Sequence, residues 1–306
     1  MQGLEICRQY YEAFGRDMIH TLFPEYEDKI AVGIAGTGSD CFGFDDDISR
    51  DHDFGAGFRM WVSDSVYDEI SFKLTRAYTA LPGEIDGVEK YKIRPYGTDR
   101  FGVIKISDFF MPLTGSPGAP QSEEQWLSVP DYSLACAVNG EIFRDDSGEF
   151  TAEREKIMNM PRDVRLKKIC FRAINMAQSG QYNFARCIRH GEYPAAALAL
   201  AEFVKNAVSL CYTLEGKYCP FYKWAFRGMD NLELFPGMKE RLEALITGKT
   251  DPAQSGEIES ICSEFASYFR ENGLSQTPDN FLEPHAYEIR EKIKNPSIRA
   301  MHIMEE

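Results

Sequence analysis

The sequence predicts an α+β protein, with a small mixed-sheet domain over residues 1–122 and an all-helical domain over 123–306. Three observations predict it. Short apolar runs that read as strands are mixed with helical periodicity as far as residue 110. The stretch 112–122, PLTGSPGAPQS, is rich in proline, glycine and serine and reads as a linker or long loop. Beyond residue 150, helical spacing dominates to the end.

The elements follow in order. Leu4, Cys7, Tyr11, Phe14 and Met18 recur at three- and four-residue steps, so 3–21 reads as an amphipathic helix closed by Pro24. IAVGIAG (30–36) is an apolar run that ends in glycine and serine, the pattern of a buried strand entering a tight loop. DFGAGFRMWV (53–62) reads as a second strand. Val66, Ile70, Leu74 and Ala77 place a helix over 65–80, stopped by Pro82–Gly83. FGVIKIS (101–107) reads as a third strand. Later helices are expected over 161–179, 192–215, 235–248, 255–272 and 284–294. The clearest, 192–215, carries Ala196, Leu200, Phe203, Val204, Ala207 and Leu210 on one face.

A length of 306 residues accommodates about two domains. An apolar content of 43% supports a packed core. Lys and Arg total 34 against 48 Asp and Glu, a net charge of −14, which repels phosphate backbones and argues against binding long nucleic acid. No apolar run approaches the roughly 18 residues of a spanning segment, and the N-terminal MQGLEICRQYYEAF lacks the basic and apolar blocks of a secretory signal. The eight scattered cysteines, without a CxxC, are expected to be reduced thiols of a cytoplasmic protein. Cys187 and His190 form one CxxH, two ligands where structural zinc needs four.

Residues 36–53, GTGSDCFGFDDDISRDHD, carry the chemistry. A Gly38–Ser39 pair follows a strand, and Asp51-x-Asp53 follows that. On a strand, residues two apart share a face, so both carboxylates point one way and His52 the other. Paired carboxylates suit Mg²⁺, which takes one or two of them and completes its shell with water and phosphate oxygens. Glycine lets backbone amides approach a phosphate, and the Ser39 hydroxyl adds a donor. The acids Asp45, Asp46 and Asp47 read as a solvated turn. GTGSDC departs from a dinucleotide fingerprint at Cys41, and GKT (248–250) has Glu243 where a Walker loop needs glycine. The aromatic stretch YCPFYKWAF (218–226) has the composition of core packing, with a stacked base or acceptor ring as the other reading.

The Gly38, Ser39, Asp51 and Asp53 pattern resembles the signature of the polymerase-beta-like nucleotidyltransferase superfamily. SDCFGFDDDISRDHDFG (39–55), EQWLSVPDYSLACAVNGEIFRDDSGEFTAERE (124–155) and EGKYCPFYKWAF (215–226) are similar to an uncharacterised bacterial domain family within it. The resemblance implies an architecture like that of the antibiotic nucleotidyltransferases. It implies Mg²⁺, two ions being plausible for this chemistry, and transfer of a nucleoside monophosphate from an NTP such as ATP to a hydroxyl of a small molecule or protein. It implies Gly38 and Ser39 on the β- and γ-phosphates and Asp51 and Asp53 as metal ligands. Lys223 is the choice for a triphosphate contact from the helical domain. One departure is visible. The superfamily places a third carboxylate on a later strand, and the matching 101–107 offers Lys105, with Asp99 and Asp108 just outside it. That departure favours the alternative, a non-catalytic nucleotide-binding or antitoxin-like interaction module.

Overall fold

The computed structural model describes residues 2–46, 48, 55–91 and 100–305. They form two compact units. One joins Met1–Gln121 with Ser133–Asn159, and the other joins Ser122–Tyr132 with Met160–Glu306. The fold is α+β, with a small mixed sheet and a helical C-terminal region.

The first unit is built on a four-stranded sheet ordered β5-β2-β1-β6, from β1 (Ile30–Ile34), β2 (Arg59–Val62), β5 (Gly102–Lys105) and β6 (Glu141–Arg144). β1 runs antiparallel to both β2 and β6, while β2 runs parallel to β5. A two-residue-per-strand hairpin, β3 (Glu84–Ile85) with β4 (Val88–Glu89), stands apart from this sheet. All five residues of β1 are buried, which explains its unbroken apolar run. Gly33 is required there by close approach, because a Cβ would stand 2.3 Å from the Glu141 carbonyl oxygen of β6.

Period-two alternation divides β2 between two cores. Met60 and Val62 join the cluster of Ile6, Tyr10, Val66, Ile70 and Leu74, contributed by α1 (Gly3–Tyr10) and α3 (Asp64–Thr79). Trp61 stacks on Phe150 of α7 (Glu149–Met158), with ring centroids 4.1 Å apart, and meets the edge of Phe109 in α4 (Ile106–Thr114). The expected N-terminal helix is α1, a π-helical turn over Tyr11–Gly15, and α2 (Arg16–Leu22). The π turn sits where Gly15 meets the Phe58 ring, with a would-be Cβ at 2.5 Å.

Three expectations are corrected. The segment after 101 leaves the sheet at Lys105 and turns into α4, so the region read as a loop from 112 starts inside a helix. Pro112 falls inside that helix, where it forgoes the one hydrogen bond its position would make to the Asp108 carbonyl. The stretch 133–159, assigned from composition to the helical domain, packs in the first unit and supplies β6 to its sheet. α10 (Tyr193–Leu214) is long and apolar enough, by length and composition, to cross a membrane, and 56% of its apolar window is buried inside the protein.

In the second unit α10 packs with α8 (Arg162–Met176), which continues as a π-helical stretch over Ala177–Phe184. Gly180 lets that stretch lie against Phe203, since a Cβ would reach the ring at 2.3 Å. α12 (Met238–Thr247), α13 (Gln254–Glu271) and α14 (Leu282–Arg290) lie where periodicity puts helices. Asp163 accepts from the Lys294 and Asn295 amides at 2.7 Å each, tying the C-terminal segment to α8.

Glu288 of α14 closes the loop before it. Its carboxylate accepts from the Thr277 hydroxyl at 2.5 Å, the Gln276 amide at 2.6 Å and the Ser275 hydroxyl at 2.8 Å. These bonds favour the ionised form and lower its pKa from 4.5 to about 2. A depressed folded pKa stabilises above the unfolded value and is lost as pH falls through the folded one. Glu288→Gln should therefore lower the urea midpoint at pH 7, and the gap to the parent should close between pH 4.5 and 2. A gap that holds constant across that range would show that the carboxylate charge contributes nothing.

Candidate functional site

The buried strand β1 delivers the chain into a loop, Ala35–Ser39, followed by a 3₁₀ turn over Asp40–Phe42. Gly36 and Gly38 adopt φ of +116° and +146°, values that side chains resist. Asn139 holds the loop from the turn before β6. Its Oδ1 accepts from the Gly36 amide at 2.9 Å and its Nδ2 donates to the Gly36 carbonyl at 2.8 Å. One side chain thus satisfies both polar groups of a buried residue.

Charge surrounds this loop. Arg100, just before β5, donates to the buried Asp40 and lies 3.6 Å from Cys41 Sγ. A Cβ on Gly38 would meet the Arg100 guanidinium at 2.6 Å, so only glycine leaves room for it. Burial works against the charge of Arg100. The Asp40 carboxylate outweighs it and holds the guanidinium well above its ordinary pKa. Arg59, on β2, lies over the Phe109 ring, and its Nη1 would be 3.9 Å from a Cβ on Gly36. Arg154, buried on α7, donates to the Val138 carbonyl at 2.8 Å, and burial brings its pKa down to about 10. Burial and the Asp40 charge push the Cys41 thiol up to about 12, so it holds its proton at neutral pH and is no nucleophile.

The structure places Gly38 and Ser39 in this loop, half-buried, with the Ser39 carbonyl accepting from Phe42 and Phe44. Asp51 and Asp53, with Arg50, His52, Asp47 and Asp99, lie outside the described residues. Among the described residues, no group of three or more His, Cys, Asp or Glu is arranged to hold a metal ion, Cys187 and His190 included. Asp46 caps the Ile48 amide at 3.1 Å as a turn acid does. Asp45 accepts from the Gly3 amide at 2.7 Å through Oδ2, while its Oδ1 is buried without a hydrogen-bond partner. Lys105 sits 3.4 Å from Asp68 and over the Tyr67 ring, and Asp108 is exposed in the first turn of α4. β5 itself carries no acid.

In the second unit Lys223 is exposed on α11 (Tyr222–Gly228). Asp131, at the start of α6 (Asp131–Val138), receives Lys168 Nζ at 2.9 Å and Arg172 Nη2 at 2.6 Å. Burial alone would raise its pKa. Arg172 and Lys168 override that and hold it below the usual carboxylate range.

Sequence reasoning missed Arg59, Arg100, Asn139 and Asp131. Only Asn139 had a usable signal, an Asn-Gly pair ahead of Glu141–Arg144 that marks a turn into a strand.

Residues 126–225 are similar to the profile of a family described as a domain of unknown function (DUF4037). No curated protein matches the sequence. The crystal structure of a nucleotidyltransferase-like protein from Exiguobacterium sibiricum 255-15 aligns over 87% of this chain and 81% of its own, at 10% identity and a TM-score of 0.31.

Loss of the Asn139 clamp tests its role. Asn139→Ala strands the buried Gly36 N–H and C=O, a cost of about 1–3 kcal/mol per group. Asn139→Asp keeps an acceptor for the amide and should fall between alanine and the parent in urea denaturation. Parent-like stability of Asn139→Ala would remove the clamp from the account.

Proposed function

We propose that the chain is a Mg²⁺-dependent nucleotidyltransferase that moves a nucleoside monophosphate from an NTP, with ATP the first donor to test, to a hydroxyl of a small molecule or protein. The observation that carries this reading is the Gly36–Ser39 loop. It leaves a buried strand with two glycines at positive φ, is clamped by Asn139, and is flanked by the guanidiniums of Arg59 and Arg100. The Gly38 and Ser39 amides of such a loop, with cations beside them, suit phosphate oxygens. The loop leads within twelve residues to Asp51 and within fourteen to Asp53.

In this reading Gly38 and Ser39 donate to the β- and γ-phosphates, and Lys223 adds a cation for the triphosphate. Asp40 fixes Arg100 against the loop, so the guanidinium keeps its place when the site is empty. Asp51 and Asp53 would hold magnesium, because hard carboxylate oxygens suit it. The buried, unpartnered Oδ1 of Asp45, six residues before Asp51, is a further oxygen that favours a cation nearby. When bound, the metal supplies charge neutralisation for the α-phosphate and the leaving pyrophosphate.

The absence of an acid on β5 favours a second reading, a module that binds nucleotide without turnover. Pyrophosphate release with a panel of hydroxyl acceptors separates the two, since only the enzyme produces it. Both readings require that ATP with Mg²⁺ stabilises the protein, by about 2.7 kcal/mol when ligand exceeds Kd a hundredfold. Asp51→Asn and Asp53→Asn should keep the fold and lose that stabilisation in thermal unfolding. An undiminished shift in both variants would remove the pair from the site. Lys223→Ala should weaken ATP more than AMP, and an equal effect on the two would assign this lysine to packing.

A further inference from the structure

α7 buries Phe150, Arg154 and Ile157 on one face, at the four- and three-residue steps of a core stripe. Phe150 and Ile157 are fully buried, as such a stripe requires. Arg154 stands between them at 8% exposed, where an apolar side chain would complete the packing. Its contacts do not match the cost of burying a guanidinium. Nη2 donates to the Val138 carbonyl at 2.8 Å, a bond that a neutral amide could make. Nη1 is buried without a hydrogen-bond partner. Arg100 meets Asp40 and Arg144 meets Glu27, but no carboxylate among the described residues pairs with Arg154. Burial brings its pKa down only to about 10, so it stays charged at neutral pH. The neighbouring group that would support this charge is Cys41, whose thiol keeps its proton.

The place of the charge points to a use. Val138, which accepts the bond, precedes Asn139, which clamps both polar groups of Gly36. Cys41 follows Ser39 by two residues. An unbalanced cation is therefore buried beside the glycine loop, within the same unit. We propose that Arg154 is an internal cation for the Gly36–Ser39 loop, and that its counter-charge is an oxyanion of the phosphate class seated on that loop. The inference rests on the reading that this loop holds phosphate. Because Nη1 is closed to solvent, the guanidinium acts through its field and not as a donor to the ligand. A charge in the dry interior is screened little by salt, unlike one on the surface.

The test is thermal unfolding of the full chain against sodium tripolyphosphate without metal, and against ATP with Mg²⁺. Arg154→Gln keeps a donor for Val138 and removes the charge, so it should lose about tenfold in affinity for both probes. Arg154→Lys keeps the charge and should stay within about threefold of the parent. The ratio of parent to Arg154→Gln should hold between about 0.05 and 0.5 M KCl, as a buried charge requires. Should Arg154→Gln fail to fold, the parent still answers. Its Arg154 guanidinium ¹⁵N resonance, assigned by its absence from Arg154→Lys, should move with tripolyphosphate and stay in place with KCl of equal ionic strength. A ratio that vanishes at high salt, equal losses in both variants, or an unmoved resonance would each overturn the inference. Equal stabilisation of the parent and Arg154→Gln would overturn it and leave the loop reading standing. No stabilisation of the parent by either probe would remove the loop reading, and this inference with it.

Discussion

The two hydrogen bonds between Asn139 and Gly36 join residues 103 apart in sequence, and the geometry of the candidate site depends on them. A loop with two glycines at positive φ has many conformations open to it, and fixing one costs backbone entropy. The amide of Asn139 offers one donor and one acceptor in the spacing of a peptide group, so it completes Gly36 as a neighbouring strand would. The bulge between Val32 and Gly33 lies just before this point, where β1 takes β6 as a partner. The ion pair of Asp40 and Arg100 fixes the far side of the loop. With both ends held, the backbone between them has few conformations left to it.

Charge is used differently in the two units. Around the loop, guanidiniums are partly exposed or lie over rings, as Arg59 does over Phe109. In the helical unit, cations are set into α8 itself. Lys167 donates to the His302 carbonyl, and Arg165 caps the end of α10 through the Thr213 and Leu214 carbonyls. α8 therefore combines an apolar core stripe with basic residues that reach specific acceptors, and its sequence RDVRLKKICFRAINM reads as less buried than it is.

Local signals were legible where one segment decides the outcome. The run IAVGI announces a buried strand, and α3, α10 and α13 follow their apolar spacing. β6 was not legible, because four half-buried residues bounded by Glu141 and Arg144 carry no alternation that stands out. Its membership in the sheet is a long-range fact, decided by β1. α4 was misread for a related reason: Ile104 and Ile106 look alike in sequence, and only the pairing of β5 with β2, which ends at Lys105, separates strand from helix. In the loop, Gly38 and Ser39 stand out in sequence as a Gly-Ser pair following a strand, while Arg100 and Asn139 act on it from 60 and 103 residues away and leave no trace in its own spacing.

The late position of β6 has a consequence for a nascent chain. The ribosome releases β1 long before its outer neighbour exists. At roughly 5–20 residues per second, the interval is on the order of ten seconds. Throughout that time one side of β1 has no backbone partner, and an apolar open edge recruits other chains. An early fragment cut at the proline- and glycine-rich stretch would keep the edge open permanently, so the boundary that composition suggests for subcloning is the one translation itself must pass before the first unit can close.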